Sequence, residues 1–403
     1  MKKNIKVVAG VLALTLVFSG GLAVGRANID VTAPVTASAY TYDIFDYNIV
    51  DGEIQITACD RTVTDVVIPA EIDGKPVTNI GAYAFVDRDK LESVTIPDSV
   101  TVIGENAFGD CTSLKSVTIP DNVANIGKLA FVGCTALESV NIGKNTVAIG
   151  SSAFAGCISL ESIVLPDGLK IVDNLAFANC TKLSDITIPE SVDNFGIGAL
   201  DNTPWLKAKI EENPLVIVNN TVIDGMNCKG DVVIPDGVTA IGGSGFNSNS
   251  NITSVAIPDS VTVIGDYAFH NCEKLTSVTI PESVETIGAN AFTDCSYLSV
   301  ITIMNPDCDI YDNARTLGNA IINAPENSTA QAYAEKYNLK FIALGEELPE
   351  IPDPPKPAKK GDINGDGYID PIDATIILNY YSYLSTTSDS PVMDIDEFQA
   401  TQE

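Results

Sequence analysis

A phenylalanine recurs every 23 residues along most of this 403-residue chain. The repeated residues are Phe85, Phe108, Phe131, Phe154 and Phe177, and then Phe246, Phe269 and Phe292. The gap between the two groups is three periods, so the register survives an interruption. A fixed period in this range is typical of a solenoid, in which each repeat buries its apolar face against its neighbours. A stacked array offers a long surface instead of a deep cleft, so the pattern favours binding over catalysis.

One complete repeat unit runs from Leu91 to Cys111. Its first part, L-x-x-V-x-I, alternates apolar and polar residues as a half-buried strand does. The strand is expected to end at Pro97, because proline cannot donate a hydrogen bond to a sheet. Ala107 and Phe108 are predicted to form one short helical turn, with the phenylalanine filling the core.

The repeats resemble the leucine-rich repeats of bacterial surface and secreted proteins, with the pattern I-P-x-x-V-x-x-I-G-x-x-A-F-x-x-C over roughly residues 60–305. The resemblance implies an α/β fold: a right-handed, curved leucine-rich repeat solenoid with a parallel sheet on its concave side. We assign residues 76–305 to this solenoid. Many relatives of this type act in adhesion or recognition, but the resemblance implies no single ligand.

The ends of an open solenoid need caps, because the last repeat would otherwise expose its core. Residues 40–75 resemble a strand-rich N-terminal cap, and residues 306–344 resemble a C-terminal cap made of a short helix and a strand. Residues 206–230 interrupt the repeats and are expected to place a hairpin in one repeat slot. Trp205, the only tryptophan, is expected to pack in the core at this seam; ligand contact is the alternative.

The N-terminus has the pattern of a secretory signal. Three lysines precede the apolar run Val7–Phe18, which is too short to span a bilayer. We predict that residues 1–39 form a signal peptide cleaved after Ala39, with an earlier site near Ala23 as the alternative. The mature protein is therefore expected to be secreted, extracellular or associated with the cell surface.

The charge balance excludes some partners. With 53 acidic and 23 basic residues, the chain carries a formal net charge of -30. Such a surface repels nucleic acid and anionic membranes and attracts divalent cations. We therefore expect no nucleic-acid partner and no insertion into a membrane.

The cysteines follow the repeat. Six of the nine lie three residues after a repeat position, at Cys111, Cys134, Cys157, Cys180, Cys272 and Cys295. Cysteine often behaves as a small buried hydrophobe. The spacing predicts a column of buried free thiols; cross-linking in an exported protein is the alternative.

Catalysis finds little support in the sequence. A Ser-His or Cys-His site could use only His270, the single histidine, which occupies a variable position of the repeat. In so acidic a chain, a catalytic pair of carboxylates is an alternative, although the sequence implies no cleft to hold one. We predict no catalytic residues and no enzymatic activity.

The candidate binding surface consists of the outward positions of the predicted strands. These are Ser93 and Thr95, Ser116 and Thr118, Ser139 and Asn141, Ser162 and Val164, Asp185 and Thr187, Ser254 and Ala256, and Ser277 and Thr279. Small hydroxyl residues dominate, whereas binding hot spots are usually rich in Trp, Tyr and Arg. Both a solvated sheet face and a ligand groove for a protein or a glycan fit this composition.

A Pro-rich linker at residues 345–360 leads to a small acidic segment, residues 361–403. This segment contains the spacing of a calcium loop. The predicted Ca²⁺ ligands are Asp362, Asn364, Asp366, the backbone carbonyl of Tyr368, Asp370 and Asp373. An amphipathic pattern typical of a helix follows directly.

This loop and the helical pattern after it resemble a dockerin, a calcium-binding module that attaches secreted proteins to cohesin domains of a cellulosome scaffold. The resemblance implies a cohesin partner. The sequence departs from the typical dockerin because it contains one clear calcium segment, whereas most have two. The alternative function is a cell-surface or host-binding adhesin whose calcium module is only a structural cap. A polysaccharide-active enzyme is a further alternative.

Overall fold

The computed structural model describes residues 38–349 and the dipeptide Val8–Ala9. Most of the predicted signal peptide lies outside these residues. Most of the Pro-rich linker, residues 350–360, and the whole predicted calcium segment also lie outside them.

The described elements are 29 short strands and two helices. In the N-terminal half the strands are β1 (Val8–Ala9), β2 (Ser38–Tyr42), β3 (Phe45–Val50), β4 (Glu53–Cys59), β5 (Asp65–Val67), β6 (Glu71–Ile72), β7 (Lys75–Ile80), β8 (Ser93–Thr95), β9 (Val102–Ile103), β10 (Ser116–Thr118), β11 (Asn125–Ile126), β12 (Ser139–Asn141), β13 (Ala148–Ile149), β14 (Ser162–Val164), β15 (Ile171–Val172), β16 (Asp185–Thr187) and β17 (Asn194–Phe195). After them come α1 (Pro204–Glu212), β18 (Val216–Val218), β19 (Thr221–Asp224), β20 (Gly230–Val233), β21 (Ala240–Ile241), β22 (Ile252–Ala256), β23 (Val263–Ile264), β24 (Ser277–Ile280), β25 (Thr286–Ile287), β26 (Val300–Ile303), β27 (Asp309–Ile310), β28 (Ile321–Ala324), α2 (Thr329–Tyr337) and β29 (Phe341–Ala343).

Each repeat contributes one strand to each of two parallel ladders. The first ladder, which we call the strand face, contains β5, β8, β10, β12, β14 and β16, and then β20, β22, β24, β26, β28 and β29. The second contains the two-residue strands such as β9, β11 and β13. Partners lie 23 residues apart, as in Val117 with Val140 and Asn125 with Ala148. The predicted parallel-sheet solenoid is therefore confirmed.

The repeat phenylalanines form two continuous stacks inside the solenoid. From Phe85 to Phe177 adjacent ring centroids are 4.8–5.4 Å apart, and from Phe246 to Phe292 they are 5.1 Å apart. All eight rings are fully buried. Parallel strands are spaced about 4.8 Å apart, which is close to the stacking distance of aromatic rings. The ladder and the stack therefore reinforce each other.

The segment around each phenylalanine is not the predicted helical turn. Asn106 and Asp110, which flank Phe108, have φ values of 52° and 56°. Left-handed residues at these positions break an α-helix. The Phe108 N–H instead donates a hydrogen bond to the carbonyl of Ala130 in the next repeat, at 2.8 Å. Within the described residues only α1 and α2 are α-helices, so the predicted α/β class is corrected to a predominantly β solenoid.

The cysteine column is buried and its thiols are free, as predicted, although Cys295 is only half-buried. Each Sγ donates to the carbonyl of the phenylalanine 26 residues earlier, for example Cys134 to Phe108 at 3.2 Å. Two other residues at this repeat position also donate. Arg88 binds the Cys59 carbonyl through Nε and Nη2, and Asn249 binds the Gly225 carbonyl. The position therefore requires a small or well-anchored donor to the preceding repeat.

The interruption begins with α1, which the sequence interpretation missed. The Oγ1 atom of Thr203 accepts from the Leu206 N–H at 3.2 Å, and Pro204 occupies the first helical turn. An N-cap threonine followed by proline is a recognisable helix start. Trp205 is half-buried and packs against the core, as predicted for this residue.

The predicted hairpin is present as β18 and β19, joined through Asn219 and Asn220, both of which have positive φ. β19 pairs with β21 and so fills a slot of the second ladder. Leu200 and Gly225 stand where phenylalanines would continue the stack: a Cβ atom on Gly225 would lie 2.5 Å from the Phe246 ring. The buried core is accordingly divided into two clusters, which meet at this seam.

Both ends of the repeats are covered. At the N-terminal end β2, β3 and β4 form an antiparallel meander, and β4 then pairs in parallel with β7. β5 already pairs with β8, so the strand face begins inside the segment interpreted as the N-terminal cap. At the other end α2 and β29 lie in the segment expected to contain a helix and a strand, and β29 pairs with β28.

Burial alters the chemistry of the thiols. Desolvation raises the pKa of Cys59 and of Cys228 to about 11, and that of Cys308 to about 12. Thiolate is the reactive form of cysteine. The folded-state pKa of these thiols lies above the unfolded-state value of about 8.5. Their contribution to the free energy of unfolding is therefore fully present below about pH 8.5 and is lost as the pH rises through the folded-state pKa.

We predict that at pH 8 thiol reagents label Cys295 first and the other cysteines only after denaturant is added. Cys295 is the half-buried member of the column, whereas the others are buried. Mass spectrometry of the labelled protein over time measures this order, and Cys295→Ala should remove the early phase. Finding column cysteines joined in disulfides in the native protein would contradict the prediction.

Candidate binding face

The predicted outward residues do lie on the outside of the strand face. In β8, β10, β12, β14 and β16 the first and third residues are exposed and the central residue is buried. Ser254 and Ser277, in the C-terminal half, are half-buried, while Ala256 and Thr279 are exposed. Successive side chains of a strand point to opposite faces of the sheet. Because the central residue points into the core, the first and third residues point outward. The repeat thus presents pairs of small side chains at regular spacing.

Three valines stand out from this polar surface. Val67, Val164 and Val233 are 70%, 68% and 71% exposed, and each is the last residue of its strand. The sequence interpretation identified only Val164. The missed signal is the pentapeptide D-V-V-I-P, which occurs identically at residues 65–69 and 231–235. Both copies match the S-V-T-I-P segment of the regular repeats.

The aspartates of these two pentapeptides join the first strand of each half to the next strand through hydrogen bonds. Asp65 accepts a hydrogen bond from Ser93 at 2.5 Å, and Asp231 accepts one from Ser254 at 2.6 Å. These hydroxyl donors lower the pKa of both carboxyl groups. The carboxylates are therefore charged at neutral pH and add negative charge at β5 and β20, where the two runs of the strand face begin.

Two open grooves lie along the carboxyl ends of the strands on this face. The smaller has a volume of about 540 Å³ and follows β12 and β14, and its lining includes Val164, Lys144 and Asp167. The larger has a volume of about 910 Å³ and follows β22, β24, β26 and β28. Its apolar lining includes Ile257, Pro281, Met304, Pro306 and Pro325, and its charged lining residues are Asp259 and Glu282. Both grooves are shallow troughs suited to an extended ligand.

His270 takes part in contacts between repeats. Its Nδ1 atom lies 3.0 Å from Oδ1 of Asn247, and its Nε2 atom lies 3.4 Å from Oδ2 of Asp294. The two partners belong to the preceding and following repeats. These contacts with neighbouring repeats hold the imidazole ring in place. They give no support to a nucleophile activated by this histidine.

The predicted metal ligands, Asp362 to Asp373, lie outside the described residues. Within residues 38–349 no group of three or more His, Cys, Asp or Glu side chains is placed to hold a metal ion. No helix of this part is long and apolar enough to cross a bilayer. The candidate site that the structure does describe is therefore the strand face with its two grooves.

The repeat geometry agrees with a comparison at the level of the family. The BspA-type leucine-rich repeat region matches residues 78–211 and 217–320, in six copies, which is more than half of the chain. The chain belongs to the BspA-type leucine-rich repeat family. The gap between the two matched ranges lies at the seam, between α1 and β18.

Several solved structures align with most of the chain. A leucine-rich cell surface protein from Faecalibacterium prausnitzii is 26% identical, with 77% of this chain and 95% of that chain covered and a TM-score of 0.40. A leucine-rich repeat protein from Bacteroides ovatus is 24% identical, with 75% and 99% covered and a TM-score of 0.32. The pneumococcal vaccine antigen PcpA is 16% identical, with 77% and 99% covered and a TM-score of 0.33. None of the curated proteins matches the chain.

Proposed function

We propose that this is an exported, non-catalytic recognition or adhesion protein that uses the strand face to bind a protein or a glycan. The observation that carries this proposal is the strand face itself: regularly spaced, exposed small side chains with two shallow grooves at the strand ends. The phenylalanine rings and the central strand residues of the regular repeats are buried in the core. The outward positions are consequently free to define a ligand surface.

Two further features support recognition over catalysis. Shallow, extended grooves suit linear ligands, whereas catalytic and small-molecule sites are usually concave and enclosed. His270 bridges neighbouring repeats through Asn247 and Asp294.

The predicted signal peptide supports an extracellular or cell-surface location. A polysaccharide-active enzyme is one alternative, and assay on plant polysaccharides tests it.

We predict that a protein and glycan array will identify a ligand whose binding depends on Val164, which is 68% exposed beside the smaller groove. Val164→Lys places a long charged side chain at the groove and should weaken binding at least about tenfold, equivalent to about 1.4 kcal/mol. Ile158→Lys is the control, because Ile158 is an exposed residue of a turn. Equal binding by both variants and the wild type would place the ligand elsewhere.

For attachment, we propose that residues 361–403 form a calcium-dependent dockerin-like module that binds a cohesin on a scaffold protein. The support is the ligand spacing: Asp362, Asn364, Asp366, the Tyr368 carbonyl, Asp370 and Asp373. Calcium takes six to eight oxygen ligands, which one short loop of this composition supplies. The segment has no Lys or Arg to offset its carboxylates, so binding of the metal is expected to be coupled to folding.

We predict that a chelator abolishes cohesin binding and leaves the fold of residues 38–349 intact, because the solenoid has its own core. Asp362→Ala and Asp373→Ala should each mimic the chelator, whereas Asp396→Ala, in the same segment but outside the loop, should retain binding. Cohesin pull-down with and without calcium measures attachment, and circular dichroism measures the solenoid.

The alternative function has its own outcome in this experiment. If the protein binds calcium by titration calorimetry but binds no cohesin in saturating calcium, the dockerin-like assignment is wrong. The calcium segment would then be a structural cap of a cell-surface or host-binding adhesin.

A further inference from the structure

The described chain ends beside the larger groove. β29 is the last strand of the sheet, and the Leu344 N–H donates to the Ala324 carbonyl at the carboxyl end of β28. Pro325, the next residue after β28, lines the groove. The chain then turns, because the Glu346 N–H donates to the Ala343 carbonyl and Gly345 has a φ of 91°. The polypeptide thus leaves the solenoid at one end of this groove.

The larger groove combines an apolar strip, part of which is exposed to solvent, with two acidic residues. Met304 and Pro306 are exposed, and Pro281 and Pro325 continue the apolar strip across successive repeats. Asp259 and Glu282, both exposed, are its only charged lining residues. An extended segment with apolar and basic residues would match this combination in both shape and charge.

The chain carries such a segment a short distance further on. Residues 354–360, Pro-Pro-Lys-Pro-Ala-Lys-Lys, contain three prolines, three lysines and no acid. Outside the predicted signal peptide no other five consecutive residues contain three basic side chains. Proline favours the extended polyproline conformation, which advances about 3.1 Å per residue.

The distance also fits. Four strand spacings separate β29 from β22, which is about 19 Å at about 4.8 Å per spacing. From Gly345 to Lys356 an extended chain can reach about 34 Å. Residues 354–360 can therefore lie over the ends of β22 and β24, beside Asp259 and Glu282.

We propose that residues 354–360 dock into the larger groove of their own chain, with the prolines on the apolar strip and the lysines beside Asp259 and Glu282. The docked segment covers the exposed side chains of Met304 and Pro306. It also anchors the following acidic segment against the C-terminal half of the solenoid, and it leaves the smaller groove free for a ligand. This docking does not depend on calcium or on a cohesin.

Limited trypsin digestion of the full chain tests the proposal. Trypsin cuts after Lys359 and Lys360, and a docked segment resists cleavage because the protease needs an accessible, locally unfolded chain. The groove variant Asp259→Asn/Glu282→Gln adds no new cleavage site. It should be cut in this segment at least about tenfold faster than the wild type, in calcium and in chelator alike, and 0.5 M NaCl should accelerate cleavage of the wild type.

The control variant is Asp98→Asn/Asp167→Asn, which removes two acids from the corresponding turns of the N-terminal half and should be cut at the wild-type rate. A carbodiimide, which joins amines to carboxylates in contact, should link Lys359 or Lys360 to Glu282 or Asp259 within the monomer. Equal cleavage of all three proteins would overturn the proposal. Cross-links found only between copies would also overturn it and would make a second copy the occupant.

Discussion

The stacking of each phenylalanine ring on the ring of the neighbouring repeat is the interaction on which the rest of this structure depends. Adjacent centroids such as those of Phe108 and Phe131 are 5.1 Å apart, with an interplanar angle of 2°. Parallel strands impose nearly the same spacing. In globular cores the loss of one buried phenylalanine side chain costs about 3–5 kcal/mol, because a cavity remains. In a stack, the rings above and below both line that cavity.

This constraint separates the residues that build the solenoid from those that face outward. The ring and the alanine before it are buried in each regular repeat, and the cysteine three positions later is buried except at the half-buried Cys295. These residues carry the inter-repeat hydrogen bonds. The outward strand positions carry none of this packing. The proposed recognition therefore uses the strand face, and the grooves lie where the turns that follow successive strands stand beside each other.

The parts of the fold that follow the 23-residue period were predictable from the sequence. The strand at Ser93–Thr95, the buried Cys134 and the exposed Val164 all follow from alternation and register. The helix α1 was missed because residues 206–230 were interpreted as a hairpin alone, although Thr203 and Pro204 signal a helix start. The turn at Phe108 was misassigned because a left-handed φ at Asn106 leaves no clear sequence pattern. The grooves depend on how turns from different repeats stack, which a single repeat does not reveal.

The most direct test of this account is native-state hydrogen exchange of the phenylalanine amides in increasing denaturant. The stack is interrupted between Phe177 and Phe246, where Leu200 and Gly225 replace rings and the core divides into two clusters. We predict that the amides of Phe85 to Phe177 open as one cooperative unit and those of Phe246 to Phe292 as another, each with its own denaturant midpoint. A single unit with one midpoint spanning the seam would contradict it.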